Sequence, residues 1–239
     1  MILRENMRTV LSVFSILVLA LLTAMPKPAG AHSIKDKGEL DSLMGEKEKY
    51  FQPLDQEAPD FTLQNADGKT VELRDFQDKV VILHFIYTNC PDVCPLHAER
   101  IAEIQAMVNR TPMRDLVQFV TITTDPKNDT PEVMREYGPA RGLDPANWTF
   151  LTSGPNRLTA TRDLVERFGH NFTKEGDGYQ VHSVVTHVID REGRWRANFH
   201  ALKFQPVNLV LFINALVNDT SKPDNHSERS FWDRVKELF

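Results

Sequence analysis

The sequence predicts an α/β protein in which a central sheet is flanked by helices. Two apolar runs, 79–87 and 116–124, are rich in β-branched and aromatic residues, as is typical of strands buried on both faces. Amphipathic segments with helical spacing follow each run, and Ile101, Ile104 and Val108 form the apolar stripe of the first. Strands that alternate with helices along a chain favour a sheet covered by helices.

The elements can be placed in order along the chain. A hairpin is predicted where two short alternating segments flank the turn residues Asp67 and Gly68. Thr130 and Pro131 are the expected cap and first residue of a helix. The predicted segments are the hairpin 61–73, strand 79–87, a helix to 108, strand 116–124, helix 131–137, strand 148–151, helix 158–168, strand 180–190, strand 194–198 and helix 207–217.

The N-terminus is interpreted as an export signal over residues 1–31. Arg4 and Arg8 precede an apolar run at 10–24, and small residues at 29–31 resemble a cleavage site. A retained anchor in the inner membrane is the alternative. Either way, we expect the remaining chain in the bacterial periplasm, where disulfides persist. Residues 32–52 are interpreted as a polar linker, either a tether or a loosely docked helix.

Charge and cysteine count exclude several classes of protein. Loss of Arg4, Arg8 and Lys27 together with Glu5 would change the net charge from -5 to -7. No long basic run remains, so nucleic acid is not an expected partner. Two cysteines are too few for a disulfide-built scaffold. Hydrophobic burial must therefore hold the fold, and the cysteines are available for chemistry.

Both cysteines lie in the segment TNCPDVCP, directly after a predicted strand. Asp92 is the predicted N-cap of the following helix, which places Cys94 and Pro95 in its first turn. The positive end of a helix stabilises a thiolate. Soft metals and disulfide exchange both require thiolates, so the position leaves a metal site and a redox pair open. An inert structural bridge is less favoured, because so short a loop gains little entropy from closure.

A third ligand would complete a site for Cu(I), Cu(II) or Zn. Among the eight histidines, His84 is predicted to be a core residue and His97 to be exposed on a helix. His170 is interpreted as part of a helix end. His182 stands near the start of a strand, where an imidazole can face a neighbouring loop, and His187 is expected on the opposite face. Spacing alone does not select His182.

The chain resembles the SCO/SenC family over roughly residues 56–217. The segment KVVILHFIYTNCPDVCPLHAERI is similar to the family's metal-site segment, and ITTDPKNDTPEVMREY and APDFTLQNADGKTVEL are similar to two further family segments. VHSVVTHVIDREGRW resembles the segment that carries the family's ligand histidine. The resemblance implies a thioredoxin-like fold with a central mixed sheet and an extra N-terminal hairpin, in a copper-binding domain at 53–217.

The resemblance also implies a copper site formed by Cys90, Cys94 and His182, and a Cys90–Cys94 disulfide in the oxidised form. Asp92 is expected to influence this site as a helix cap and through its charge. The implied partner is the copper-bearing subunit of cytochrome c oxidase, with another copper carrier as a second partner. The family usually has an aspartate before the histidine, where this chain has Val181.

Three functions follow from these observations. The first is a copper chaperone that delivers copper to, or reduces the cysteines of, the dinuclear copper centre of cytochrome c oxidase. The second is a thiol–disulfide reductase acting on exported proteins, and the third is a binding module with a structural bridge. Residues 218–239 are interpreted as a tail whose amphipathic stretch, 230–239, either docks on its own domain or contacts a membrane or partner.

Overall fold

The computed structural model describes residues 37–175, 178–181 and 183–218. The predicted export signal, its alternative as an anchor and the predicted C-terminal amphipathic stretch lie outside these residues. The helices are α1 (Lys37–Lys47), α2 (Val93–Asn109), α3 (Pro131–Ala140), α4 (Leu158–Arg167) and α5 (Pro206–Val217). The strands are β1 (Phe51–Glu57), β2 (Thr62–Asn65), β3 (Thr70–Glu72), β4 (Val80–Ile86), β5 (Val117–Thr123), β6 (Trp148–Thr152), β7 (Phe172–Glu175), β8 (Gly178–Val181), β9 (Val185–Ile189) and β10 (Arg194–His200).

Eight strands form one mixed sheet in the order β1-β10-β9-β4-β5-β6-β2-β3. The central pairs β4–β5 and β5–β6 are parallel, whereas the remaining pairs of this sheet are antiparallel. Strands β2 and β3 form the predicted N-terminal hairpin, with Gly68 at a positive φ of 74° in its turn. The predicted α/β class with a central mixed sheet, flanking helices and an extra hairpin is therefore confirmed.

Strand β4 is covered on both faces, as its apolar sequence predicts. Val80, Ile82 and Ile86 pack in the cluster that includes α2 and α5, while Val81, Leu83 and Phe85 pack on the opposite side with α4. This alternation is the period of two that a strand imposes on its side chains. The cysteine loop follows directly after the last residue of β4, so the buried strand fixes where that loop starts.

Strand β1 was not predicted, and α1 is more firmly packed than a tether. Leu40 and Met44 of α1 are buried in the main core cluster. Glu48 is also buried, and its carboxylate accepts hydrogen bonds from the Gln205 backbone N–H at 2.9 Å and the Asn208 side chain at 3.0 Å, at the start of α5. The division of the chain at residue 53 stays a prediction. Strand β1 is mostly polar and contains a proline, as an edge strand tolerates, and so lacks an apolar signal.

The single strand predicted over residues 180–190 is wrong. The chain forms two strands there: β8 pairs with β7 in a separate two-stranded sheet, and β9 pairs with β4 and β10 in the main sheet. The physical reason is that the two segments have different pairing partners, which periodicity along one segment does not reveal. Residues 183 and 184, between the two strands, belong to neither of them.

Candidate metal centre

The cysteine loop joins the end of β4 to the start of α2. The backbone N–H of Cys90 donates to the Tyr87 carbonyl at 3.2 Å and closes a turn before the helix. Helix α2 begins at Val93, so Cys94 and Pro95 lie in its first turn as predicted. Proline is tolerated there because the first backbone N–H groups of a helix have no partner within the helix.

Asp92 occupies the predicted N-cap position, but its side chain does not act as predicted. The carboxylate makes no capping hydrogen bond. Instead, the sulfur of Cys90 accepts the backbone N–H of Cys94 at 3.4 Å. A cysteine sulfur thus takes the role that the aspartate oxygen was expected to have, and it faces the positive end of the helix.

The two thiols are free and buried, yet their acidities differ. Burial raises the pKa of Cys90, but hydrogen bonds from the backbone at Asp92, from Cys94 and from Tyr87 outweigh it, so that the pKa of Cys90 is lowered. Burial, with smaller contributions from the nearby Cys90 and Asp129, raises the pKa of Cys94 to about 12, although a hydrogen bond with the Tyr87 backbone opposes the shift. Cys90 is therefore the thiol that ionises first.

Asp129, in the loop that follows the neighbouring strand β5, holds the start of the cysteine loop. Its buried carboxylate accepts the backbone N–H of Thr88 at 3.3 Å and the hydroxyl groups of Thr88 and Thr123. Burial raises the pKa of Asp129, although these hydrogen bonds oppose the shift. These contacts join the start of the cysteine loop to the end of β5.

His182 lies outside the described residues, so its position is not part of the site geometry. Its neighbour Ser183 is described, and Ser183 lines the same small cavity as Cys94. Ser183 and Val184 therefore lie at the cavity beside the first turn of α2. The described residues contain no cluster of three His, Cys, Asp or Glu side chains that could hold a metal ion.

The prediction for His97 is wrong, because this histidine is buried rather than exposed on its helix. Its Nε2 lies 2.9 Å from the Thr186 hydroxyl, and its ring also lines the cavity beside Cys94. The spacing of three residues from Cys94 was the available signal, since residues i and i+3 share a helix face. The prediction for His84 is confirmed, since this core histidine contacts Thr121.

Two further histidines lie on the other side of the sheet. His170 follows the end of α4, as interpreted, but its ring bonds to Ser183 at 2.6 Å and to His187 at 2.8 Å. Burial lowers the pKa of His170 to about 4 and that of His187 well below its usual value. Sequence reasoning did not foresee this contact, because no spacing rule joins the end of α4 to β9.

The donor set is suited to a soft metal, since two thiols in one loop can both become thiolate ligands. The fold and this loop define a thioredoxin-like α/β protein with a cysteine pair at a strand–helix junction. The family model described as SCO1/SenC matches residues 51–217. The chain belongs to the SCO1/SenC family.

Known relatives place the chain within this family at moderate similarity. The SCO1 protein homolog of Bacillus subtilis (strain 168) is 26% identical over 160 residues, which cover 66% of this chain and 81% of that protein.

Two solved structures share the fold. One is BsSco, described as a member of the Sco family of cytochrome c oxidase assembly proteins with a disulfide switch, and it has a TM-score of 0.61 and 24% identity over 72% of this chain and 98% of its own. The other is Bradyrhizobium japonicum ScoI with copper bound, with a TM-score of 0.56 and 24% identity over 66% of this chain and 98% of its own. Among the described residues, no helix has the length and apolarity needed to cross a membrane.

Proposed function

We propose that this chain is a copper chaperone that delivers copper to, or reduces the cysteines of, the dinuclear copper centre of cytochrome c oxidase. The observation that carries the proposal is a pair of free thiols at the start of a helix. Ser183, which follows the candidate third ligand His182 in the sequence, lines the same cavity as Cys94. Family membership supports it, as do the copper-bound relative and the relative described as an oxidase assembly protein.

Copper is the cargo of this site, held by Cys90, Cys94 and the His182 imidazole. Two thiolates and one imidazole suit Cu(I), and Cu(II) is the alternative state. Because Cys94 has a pKa of about 12 as a thiol, copper binding must displace its proton, and affinity should rise with pH. Three ligands leave a position for an incoming thiolate, so copper can move to a partner by ligand exchange.

The test is a Cu(I) competition titration of the fully reduced protein beside the His182→Ala variant. We expect one Cu(I) per chain in the wild type and weaker binding in the variant. Absence of binding by the wild type would contradict the carrier function. Equal affinity in both proteins would remove His182 from the site while leaving the cysteines in place.

A second function, thiol–disulfide reduction, is favoured by the unequal acidities of the cysteines. The Cys90 thiolate would attack a partner disulfide, form a mixed disulfide and release one partner thiolate. Cys94 would then lose its proton and attack Cys90, forming the Cys90–Cys94 disulfide and releasing the second partner thiol. Two electrons pass from the pair to the partner. Replacement of His182 discriminates the functions, because exchange should survive while copper affinity falls.

We place this activity outside the cytoplasm, in the bacterial periplasm. The support is the pattern of residues 1–31, which serves either as a cleaved signal or as an inner-membrane anchor. In that compartment oxidation of the pair would remove both thiolates, so copper handling would follow the local redox state. Trapping of mixed disulfides with Cys94→Ser in a periplasmic extract would identify the partner.

A further inference from the structure

Helix α5 presents an uncharged face to solvent. Its sequence, PVNLVLFINALV, contains no Asp, Glu, Lys or Arg, whereas every other helix of the described residues carries charged side chains. The inner face packs in the main core cluster through Leu209, Phe212 and Leu216. On the outer face, Val207 and Leu211 lie one helical turn apart, and each is 48% exposed. A helix that is apolar all round is normally buried all round, so the outer face of α5 lacks a cover among the described residues.

Helix α4 shows how a solvated outer face is built in this protein. Its exposed positions include Asp163, Glu166 and Arg167, whose charges remain in water. On α5 the corresponding outward line consists of Val207 and Leu211, followed by Asn214. The outer face of α5 is therefore apolar over its first two turns and neutral throughout, which is typical of a surface that contacts other protein atoms.

The sequence after α5 contains an apolar face that matches this surface. Residues 219–239 lie outside the described residues and beyond the family match, which ends at residue 217. Within 230–239, helical spacing assigns five apolar residues to one face: Phe231, Trp232, Val235, Leu238 and Phe239. Two acidic and two basic residues occupy the other positions, so their charges cancel. Three aromatic side chains that can each bury roughly 150–250 Å² need an apolar surface to contact.

The connection between α5 and this stretch is long enough for the chain to fold back. Residues 218–229 separate the end of α5 from the stretch, and a segment of this length spans up to about 40 Å when it is extended. Val207 lies only about 15 Å from the end of α5 along the helix axis. A helical segment of the length of 230–239 is also about 15 Å long, so it matches the exposed line on α5.

Two other covers fit the outer face of α5 less well. A stable dimer of two copies buries about 1,200–2,000 Å² in total, which exceeds what a line of two exposed apolar side chains offers. A membrane surface favours apolar faces flanked by lysine or arginine, and α5 carries neither. A segment of the same chain meets neither limit, because a short flexible tether raises its effective concentration to about the millimolar range and a small contact then suffices.

We propose that the outer face of α5 is the docking site for the stretch 230–239 of the same chain. In this arrangement Trp232 and its apolar neighbours cover Val207 and Leu211, and the charged side chains of the stretch face solvent. The docked stretch enlarges the core of the domain with residues beyond the range that the family model matches. The inference goes beyond the proposed function, since neither copper nor the thiols take part in it.

Nuclear magnetic resonance spectra of the methyl groups in the reduced, copper-free protein test the contact. We expect Trp232→Ser to shift the Val207 and Leu211 methyl resonances, because an aromatic ring alters the magnetic field at protons packed against it. The methyl resonances of Leu158, which is 43% exposed on α4, should keep their wild-type positions. Unchanged Val207 and Leu211 resonances would overturn the inference. A dependence of these resonances on protein concentration in wild type would assign the face to a second copy and would also overturn it.

Limited digestion with chymotrypsin, which cleaves after large apolar residues, measures how often the stretch leaves the face. Residues 218–230 contain no aromatic residue or leucine, so the first sites past α5 are Phe231 and Trp232 within the stretch. We expect Leu211→Gln to raise the initial rate of this cleavage about fivefold or more, since cleavage follows the population of the open form. The matched control is Leu158→Gln, a similarly exposed leucine on α4, and it should keep the wild-type rate. Equal rates in all three proteins would contradict docking on α5.

Co-sedimentation with vesicles of phosphatidylcholine and phosphatidylglycerol tests the membrane as the occupant. We expect the bound fraction to be the same for wild type and Leu211→Gln, because Leu211 contacts the stretch 230–239 and not lipid. Weaker binding by the variant than by wild type would assign the face to a lipid surface and overturn the inference.

Discussion

The two segments that meet beside Cys94 are held in place by different chemistry. The cysteine loop is held by backbone hydrogen bonds and by one buried carboxylate, Asp129. The segment at Ser183 is held by neutral imidazoles in aromatic surroundings. The difference shows that one site can combine an ionisable support, close to the thiols, with a support whose groups are kept uncharged by burial.

The two supports respond to acid in opposite directions. Burial disfavours the charged form of any group, so it raises the pKa of Asp129 and lowers the pKa of each buried histidine. Acid therefore neutralises the carboxylate without forcing a charge into the interior. A buried histidine, in contrast, can bind a proton only if a charge is placed in the core or if the protein unfolds.

The largest expected effect is a loss of stability in mild acid. A buried histidine stays neutral when folded but binds a proton near pH 6.5 when unfolded, so its stability contribution is complete above pH 6.5 and is lost as pH falls toward the folded pKa. Between pH 7.5 and pH 5.5 we expect a loss of about 1.4 kcal/mol per histidine, or about 5 kcal/mol in total. The groups concerned are His84, His97, His170 and His187.

Urea unfolding of the reduced, copper-free protein at pH 7.5 and pH 5.5 measures this loss. Asp129 acts with the opposite sign, since its raised pKa lets the folded state bind a proton first, but it is a single group against four. The His200→Gln variant should keep most of the pH dependence, because His200 is only partly buried. Equal stability at the two pH values would show that the buried histidines carry charge in the folded protein and would remove the contrast with Asp129.

The next effect separates the two cysteines within one loop. The pKa of Cys90 is lowered because hydrogen bonds stabilise its thiolate, and that of Cys94 is raised to about 12 mainly by burial. At pH 7.5 we expect iodoacetamide to modify Cys90 at least about a hundredfold faster than Cys94, since the thiolate is the nucleophile. Mass spectrometry of peptides from the reduced protein measures the two rates. Comparable rates would contradict the assignment of Cys90 as the attacking thiol.

The smallest effect concerns the support of the cysteine loop. Asp129→Ala leaves the Thr88 backbone N–H and the two threonine hydroxyls without their acceptor, and we expect the free energy of unfolding at pH 7.5 to fall by about 2–3 kcal/mol. Chemical denaturation measures the change. The variant should also broaden the nuclear magnetic resonance signals of the cysteine loop more than those of Ser183.

Asp92→Ala is the matched control for this measurement. Sequence reasoning expects a loss of about 1 kcal/mol from removal of an N-cap. Because the Asp92 carboxylate makes no capping hydrogen bond, we expect a change within about 0.5 kcal/mol. If Asp92→Ala were as destabilising as Asp129→Ala, the loop would be held from the helix rather than from the loop that follows β5.

The cysteine loop was predictable because the forces that shape it act over a short stretch of chain. The apolar run before the loop predicts β4. Pro95 fits the first turn of α2 when Asp92 is the N-cap. The histidine side was not predictable in the same way. His170 and His187 are 17 residues apart and touch only because α4 and β9 pack together.

The errors have the same origin. His97 was expected on a solvated helix face, but that face of α2 packs toward β9, where the His97 ring contacts the Thr186 hydroxyl. The stretch 180–190 looks continuous in its apolar pattern, but its two halves pair with different strands. In each case the missing information was which element lies opposite, and periodicity along one segment does not contain it.

The sequence by itself determined the sheet-and-helix order, the place of both cysteines at a strand–helix junction and the membership of the SCO1/SenC family. These follow from local patterns and from motifs that neighbouring residues carry together. Only the tertiary structure decided that Cys90 and Cys94 differ in acidity, that Asp129 holds Thr88, and that two buried imidazoles lead to Ser183. Burial and through-space hydrogen bonding set those properties, and both arise only once distant segments have packed together.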